Sequence, residues 1–246
     1  MVRTKKLRDF NWKVQRVVPT LIQGPDAIRI YDALGKDTVG KYNKETQEVY
    51  GSNVFLTGQV HQIIAQSGLR VAVPGDDVNG DISELIKGRF YTDFNSLVAH
   101  EKKPSCERNT GLWKRVIELT EKNLGRSPKF PFRIDGFYVV EDKTETGYGF
   151  KIVPANNFKV IEDERLSEKY SEFKFSKIDE MGIPSDLDKR KGSRQFFARD
   201  DGLSWFFLYG NGDLDARGDF LAYSDDDGRV ALVLGETDAR NFLKKD

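Results

Sequence analysis

Two β-rich runs flanking a polar segment constrain this chain more than any other feature. Phe132-Arg133-Ile134-Asp135-Gly136-Phe137-Tyr138-Val139-Val140 is followed by Glu141-Asp142-Lys143-Thr144-Glu145-Thr146 and then Gly147-Tyr148-Gly149-Phe150-Lys151-Ile152-Val153. Aromatic and β-branched residues suit a pleated, half-buried surface, and a polar turn with Gly near its end predicts an antiparallel hairpin. Phe158-Lys159-Val160-Ile161 is expected to extend the same sheet. Seventeen Phe, nine Tyr and 22 Gly carry that preference through the rest of the chain and argue against a helical bundle. The expected class is α+β, mainly β.

The remaining segments follow from periodicity. Ala27-Ile28-Arg29-Ile30-Tyr31 alternates and predicts a strand, as does Leu69-Arg70-Val71-Ala72-Val73, which Pro74-Gly75 stops. Val54-Phe55-Leu56 and Val60-His61-Gln62-Ile63-Ile64 are apolar and strand-like, so His61 is expected to be a structural, hydrogen-bonded histidine. Residues 81–87 suit a short helix, Arg89-Phe90-Tyr91-Thr92-Asp93-Phe94 a strand, and Leu112, Val116, Ile117 and Leu119 mark a helix of about three turns. Residues 181–193 have the composition of a linker or mobile loop. Four tail strands are expected at 194–198, 205–209, 220–223 and 230–234, with Asp225-Asp226-Asp227-Gly228 as a hairpin turn. Three regions result: a basic N-terminal segment with the first strand (1–47), a β unit (48–166), and a C-terminal β-rich extension (167–246) able to pack on the same core.

Charge and cysteine content limit the function classes. Thirty-nine basic and 39 acidic side chains cancel, so any binding to phosphates depends on local patches. Arg3, Lys5, Lys6, Arg8, Lys13 and Arg16 form one such cluster, either a solvated terminus or a phosphate-contacting arm. No apolar run approaches the roughly 20 residues of a spanning helix, and no apolar segment of a signal peptide follows Met1. The expectation is an intracellular protein, in the cytoplasm of a prokaryote or the nucleus of a eukaryote. A single cysteine, Cys106, excludes an internal disulfide framework.

Catalytic constellations are few. With only His61 and His100, a histidine metal cluster or a triad has little to draw on. The loop Gly75-Asp76-Asp77-Val78-Asn79-Gly80-Asp81 lacks the alternating acids and late Glu of a helix-loop-helix calcium site, so no metal is expected there. Asp135 with Glu141, Asp142 and Lys143 has the residue types of a Mg²⁺-dependent, restriction-type nuclease, although its spacing puts Asp135 and Glu141 on one strand. Asp213, Asp215 and Asp219 are a second acidic cluster for the same alternative; otherwise no cofactor is expected.

Further motifs occur in a collinear series. Val49-Tyr50-Gly51, Gln59-Val60-His61, the 75–81 loop, Tyr91-Thr92, Asn109 with Leu112, Ile134-Asp135-Gly136-Phe137-Tyr138 and Gly147-Tyr148-Gly149-Phe150 are similar, in the same chain order, to V-F-G, G-V-H, E-D-D-x-D-x-G-D, Y-T-G, N-x-A-L, Y-D-G-x-Y and G-x-G-F. Over about residues 48–166 the chain thus resembles the SRA (SET and RING associated, or YDG) domain of the PUA-like superfamily, with Ile134 at the tyrosine of Y-D-G.

The resemblance implies a twisted, partly closed β-barrel that binds double-stranded DNA and recognises a methylated or hydroxymethylated cytosine by base flipping. It implies Asp77 or Asp81 as the pocket carboxylate, Tyr91 as a stacking ring with Thr92 beside it, and Asp135, Gly136 and Tyr138 as mainly architectural residues, Gly136 for close backbone approach and Tyr138 as a buried, hydrogen-bonded ring. Lys87, Arg89, Lys114, Arg115, Lys189, Arg190, Lys191 and Arg194 are the implied phosphate contacts. The leading expectation is a non-catalytic DNA-binding module. The alternatives are the nuclease and a β-rich interaction or structural protein.

Overall fold

The computed structural model describes residues 19–35, 39–142, 144 and 147–235. The chain opens with β1 (Thr20–Leu21), α1 (Ala27–Leu34), β2 (Lys41–Asn43), β3 (Glu48–Tyr50), α2 (Val54–Ile64) and β4 (Leu69–Val71). Its middle comprises α3 (Asp81–Ile86), β5 (Tyr91–Ala99), α4 (Thr110–Leu124), β6 (Phe132–Glu141) and β7 (Phe150–Glu162). Strands β8 (Lys174–Phe175), β9 (Arg194–Ala198), β10 (Leu203–Tyr209), β11 (Leu214–Gly218), β12 (Gly228–Arg229) and β13 (Ala231–Leu234) follow. With 35 % strand against 25 % helix, the class is α+β, mainly β.

The main sheet runs β7-β6-β5-β10-β11-β9-β8, with β12 paired to β5 off that path. Its path has two ends, and no closed barrel forms among the described residues. A second sheet, β1-β13-β4, and the β2-β3 hairpin complete the strands. At the centre β10 lies antiparallel to β5. Alternate residues of a strand face opposite sides. Accordingly Phe206 and Leu208 pack with Phe94 and Val98 in one core, while Trp205 and Phe207 pack with Leu97 and Ala99 in another. Burial on both faces is why β10 carries the unbroken apolar run 205–208.

The hairpin expected at 132–153 is present as β6-β7, and 158–161 belongs to the same long strand β7. Its register shifts between Asp135 and Phe137. There Gly136 has φ +73°, and a Cβ on it would lie 2.6 Å from the Asn157 carbonyl oxygen, so this bulge requires glycine. Arg133 and Asp135 project together into the core as a two-point ion pair of 2.8 and 2.9 Å, completed by a 2.6 Å bond from Ser96 Oγ to Asp135 Oδ1. Arg133 also donates to the Met181 carbonyl oxygen and stacks on Phe206.

Several segments differ from expectation. Residues 27–31 belong to helix α1: followed as far as Leu34, the apolar positions Ala27, Ile30, Tyr31 and Leu34 have helical spacing. Residues 54–64 form α2, whose start is capped by Asn53 Oδ1 accepting from Leu56 N at 2.8 Å. α2 is buried on nearly every face, which erases the periodicity that would have marked it. Residues 181–193 are no loose linker at their start: Ile183 is fully buried and Gly182 packs against Pro74. Residues 220–223 are not a strand, and the 225–228 turn leads into β12, which runs parallel to β5.

Strand pairing crosses both expected boundaries, because β1 pairs with β13 and β5 with β10. The 167–235 segment is therefore built into the main sheet. The basic cluster at 2–16 and Lys143 lie outside the described residues. No helix among the described residues is long and apolar enough to cross a membrane.

Candidate binding groove

Two loops create a concave surface at one end of the central strands. Gly88, at φ +68°, turns the chain out of α3, and its N–H donates to the Gly210 carbonyl at 2.9 Å. Opposite it, Asn211-Gly212 closes the β10-β11 hairpin, with Tyr209 N donating to Asp213 O at 3.0 Å and Gly212 at φ +88°. Gly210 allows the two loops to touch, since a Cβ there would lie 2.8 Å from the Phe90 carbonyl oxygen.

Above these loops is a cavity of about 550 Å³. Its aromatic wall is Phe90, Tyr91, Phe197 and Tyr209, and its polar groups are Arg89, Asn211, Asp213, Arg217, Asp225 and Asp227. Tyr91 and Tyr209 are directly opposed in the β5-β10 register, and both rings meet Phe207 edge-on, at 5.9 and 4.8 Å. The Tyr91 hydroxyl crosses bare Gly228 and accepts from Asp225 N at 3.4 Å. Burial, then Asp93 and Asp225, hold its phenol far above the ordinary tyrosine range, so the ring stays neutral.

A second cavity of about 330 Å³ shares Gly88, Gly210 and Asn211 with the first and adds Ser83, Glu84, Lys87 and Arg194. The two adjoin at these shared residues as one groove, walled by aromatic rings at one end and by Glu84, Lys87 and Arg194 at the other. Lys87 is paired with Glu84 at 2.9 Å and Arg217 with Asp215 at 2.7 Å. Arg89 is exposed and has no ion-pair partner among the described residues. Carboxylates along the groove balance its cations, so it is no general polyanion surface. It can stack a planar group and offer that group several acceptors.

The sequence-nominated residues divide clearly. Tyr91, Lys87, Arg89 and Arg194 are brought together around the groove. Asp77 is beneath it and fully buried, accepting from Ser83 N at 2.8 Å and Ser83 Oγ at 2.5 Å, with Arg194 at 3.5 Å. Asp77 therefore caps α3 and is sealed from a ligand. Asp81 is exposed on the first turn of α3 and does not line the cavity that holds Tyr91. Thr92 is buried, with Oγ1 donating to Arg229 O at 3.1 Å. Lys114 is exposed on α4 and Arg115 is paired with Asp142 at 2.6 Å. Lys189, Arg190 and Lys191 occupy an exposed turn held by Asp188, apart from the groove lining.

The nuclease set does not converge. Asp135 is buried on Arg133, Glu141 is exposed at the far end of β6, and Lys143 lies outside the described residues. Of the second acidic cluster, Asp213 accepts from Gln195 N at 2.6 Å, Asp215 holds Arg217, and Asp219 pairs with Arg199 at 3.0 Å. Sequence reasoning missed Tyr209, Asn211, Asp225 and Asp227 as partners of Tyr91. The Asn211-Gly212 turn after an apolar run was the signal available for the first two.

No protein-family model, no curated protein and no solved structure matches this chain.

Proposed function

We propose that this chain is a non-catalytic DNA-binding module, SRA-like in its mode, that takes an extruded modified cytosine into the groove at Tyr91. One observation carries the reading: the ring nominated for stacking and three of the cations nominated for phosphates, Lys87, Arg89 and Arg194, border a single groove. Tyr91, Phe90 and Tyr209 supply π-faces for the base. An ionised carboxylate accepts from the exocyclic amino group of cytosine, and Asp213, Asp225 and Asp227 line the cavity for that role, which the resemblance had given to Asp77 or Asp81. The partly closed barrel implied by the resemblance belongs to this reading too; the described strands share with it an antiparallel β7-β6-β5-β10 sheet, in an open path.

Because so few cations border the groove, phosphate neutralisation is limited to about three contacts. The slope of log K against log salt is then expected to be about −3 on duplex DNA, falling in magnitude by about 1 in Arg89→Ala. Fluorescence anisotropy with plain, methylated and hydroxymethylated duplexes measures both. A modified duplex is expected to bind more tightly than plain DNA, and Tyr209→Ala to remove that preference. Equal affinity for all three duplexes, or no binding at low salt, rules the reading out.

A further inference from the structure

A third cavity, of about 290 Å³, lies away from the groove, between the end of α2, β4 and the β6-β7 hairpin. His61, Gln66, Arg70, Tyr138, Asn156 and Asn157 provide its polar lining. We infer that this cavity is a second binding site, for an uncharged adenine-type base or nucleoside. The inference does not rest on the DNA-binding reading.

Charge is the first argument. Arg70 is the one permanently charged residue among those lining the cavity, and its guanidinium is engaged by Asp76 through two 2.6 Å bonds. His61 is buried, and burial followed by the Arg70 charge pushes its imidazole down to about 4, so it is neutral at ordinary pH. Among the described residues a phosphate finds no free cation here and a metal ion no carboxylate. What remains is a set of neutral hydrogen-bonding groups.

Three of those groups are primary amides, each with donors and an acceptor side by side. Asn and Gln side chains match the amino group and N7 of adenine in this two-point manner. Asn157 is held in place because its amide lies against Gly136: its Cγ is 2.8 Å from where a Cβ on that residue would be. Tyr138, edge-on to His61 at 5.3 Å, adds an aromatic ring to the wall. Tyr138, expected from the resemblance to be buried, is half-buried and faces this cavity. His61 Nδ1 and Arg70 Nε are buried without a hydrogen-bond partner among the described residues, as polar atoms beside a site for water or ligand often are. The volume is at the lower end of the range for ligand pockets, which suits a base or nucleoside rather than a dinucleotide.

Calorimetric titration of adenosine and uridine into the unsubstituted protein and into Tyr209→Ala tests this, because Tyr209 lines the groove and not the third cavity, so binding at the third cavity is expected to be the same in both. Adenosine is expected to bind more tightly than uridine. Asn156→Ala and, separately, Gln66→Ala change exposed residues, so the fold is expected to persist by circular dichroism while adenosine affinity drops about tenfold. Absence of adenosine binding at millimolar concentration, equal binding of uridine, or unchanged affinity in both amide variants overturns the inference. DNA binding by the unsubstituted protein is scored separately, so failure of one site is distinguishable from failure of the other.

Discussion

Asp93 is buried in β5, and its Oδ2 lies near the Ser52 hydroxyl without a well-formed hydrogen bond among the described residues. Burial raises its carboxyl to about 7, with Ser52 opposing and Asp225 reinforcing the shift. Between the unfolded value of 3.8 and about 7 the native state holds the extra proton, so stability falls as pH rises through that window. The gap corresponds to on the order of 4 kcal/mol. Asp93→Asn removes the charge at nearly constant shape. Chemical denaturation is expected to show the variant a few kcal/mol more stable than the parent at pH 8, with most of that advantage gone at pH 4. His61 and His100, both pushed down to about 4 chiefly by burial, act with the opposite sign, losing stability as pH falls from 6.5. They cancel between the two proteins. A difference independent of pH would show that Asp93 does not titrate in this window. Asp135 illustrates the contrast: equally buried, it is answered by Arg133 and Ser96, and its place in an acid-rich motif signified an internal ion pair rather than chemistry.

At the level of elements, α2 depends on one missing side chain. A Cβ on Gly58 would lie 2.4 Å from Val139 Cγ2, so the bare residue lets the helix settle on β6. Replacing Gly by Ala inside a helix gains about 1 kcal/mol of propensity, whereas overpacking a core costs about 1–3 kcal/mol. The second effect is larger against a stiff β-branched neighbour, so Gly58→Ala is expected to lower stability in urea denaturation. The loss should shrink in a Val139→Ala background; an undiminished loss would mean the clash is elsewhere. This same burial made α2 illegible, since a helix apolar all round has no stripe to mark it. α4 was legible because Lys114, Glu118 and Glu121 lie outside its apolar stripe, and the β6-β7 hairpin because its turn is local. β11 was not: Leu214-Asp215-Ala216-Arg217-Gly218 lacks β-branched and aromatic residues, and it is made a strand by β9 and β10 on either side.

Across the whole molecule, the order of strands explains why only part of the groove could be foreseen. Tyr91 and Arg89 belong to a run that sequence singles out, but their partners Tyr209, Asp213, Asp225 and Asp227 arrive from more than a hundred residues away. They meet only because β10 enters the sheet beside β5 and β12 flanks it on the other side. The same topology predicts that the chain does not divide at residue 166. A fragment ending there keeps β5 and β6 but loses β10, β12 and β13, exposing Phe94, Val98, Leu97 and Ala99. Each large apolar side chain left uncovered forfeits about 1.5–3 kcal/mol, and a few such losses equal the whole stability of a typical domain. Residues 1–166 alone are therefore expected to give no cooperative thermal transition, and the full chain a single one. A sharp melt of the fragment would mean that β7-β6-β5 is a self-sufficient unit. In that case the groove would be an interface between two units, and Tyr209 could be removed with its whole strand while the Tyr91 side stayed folded.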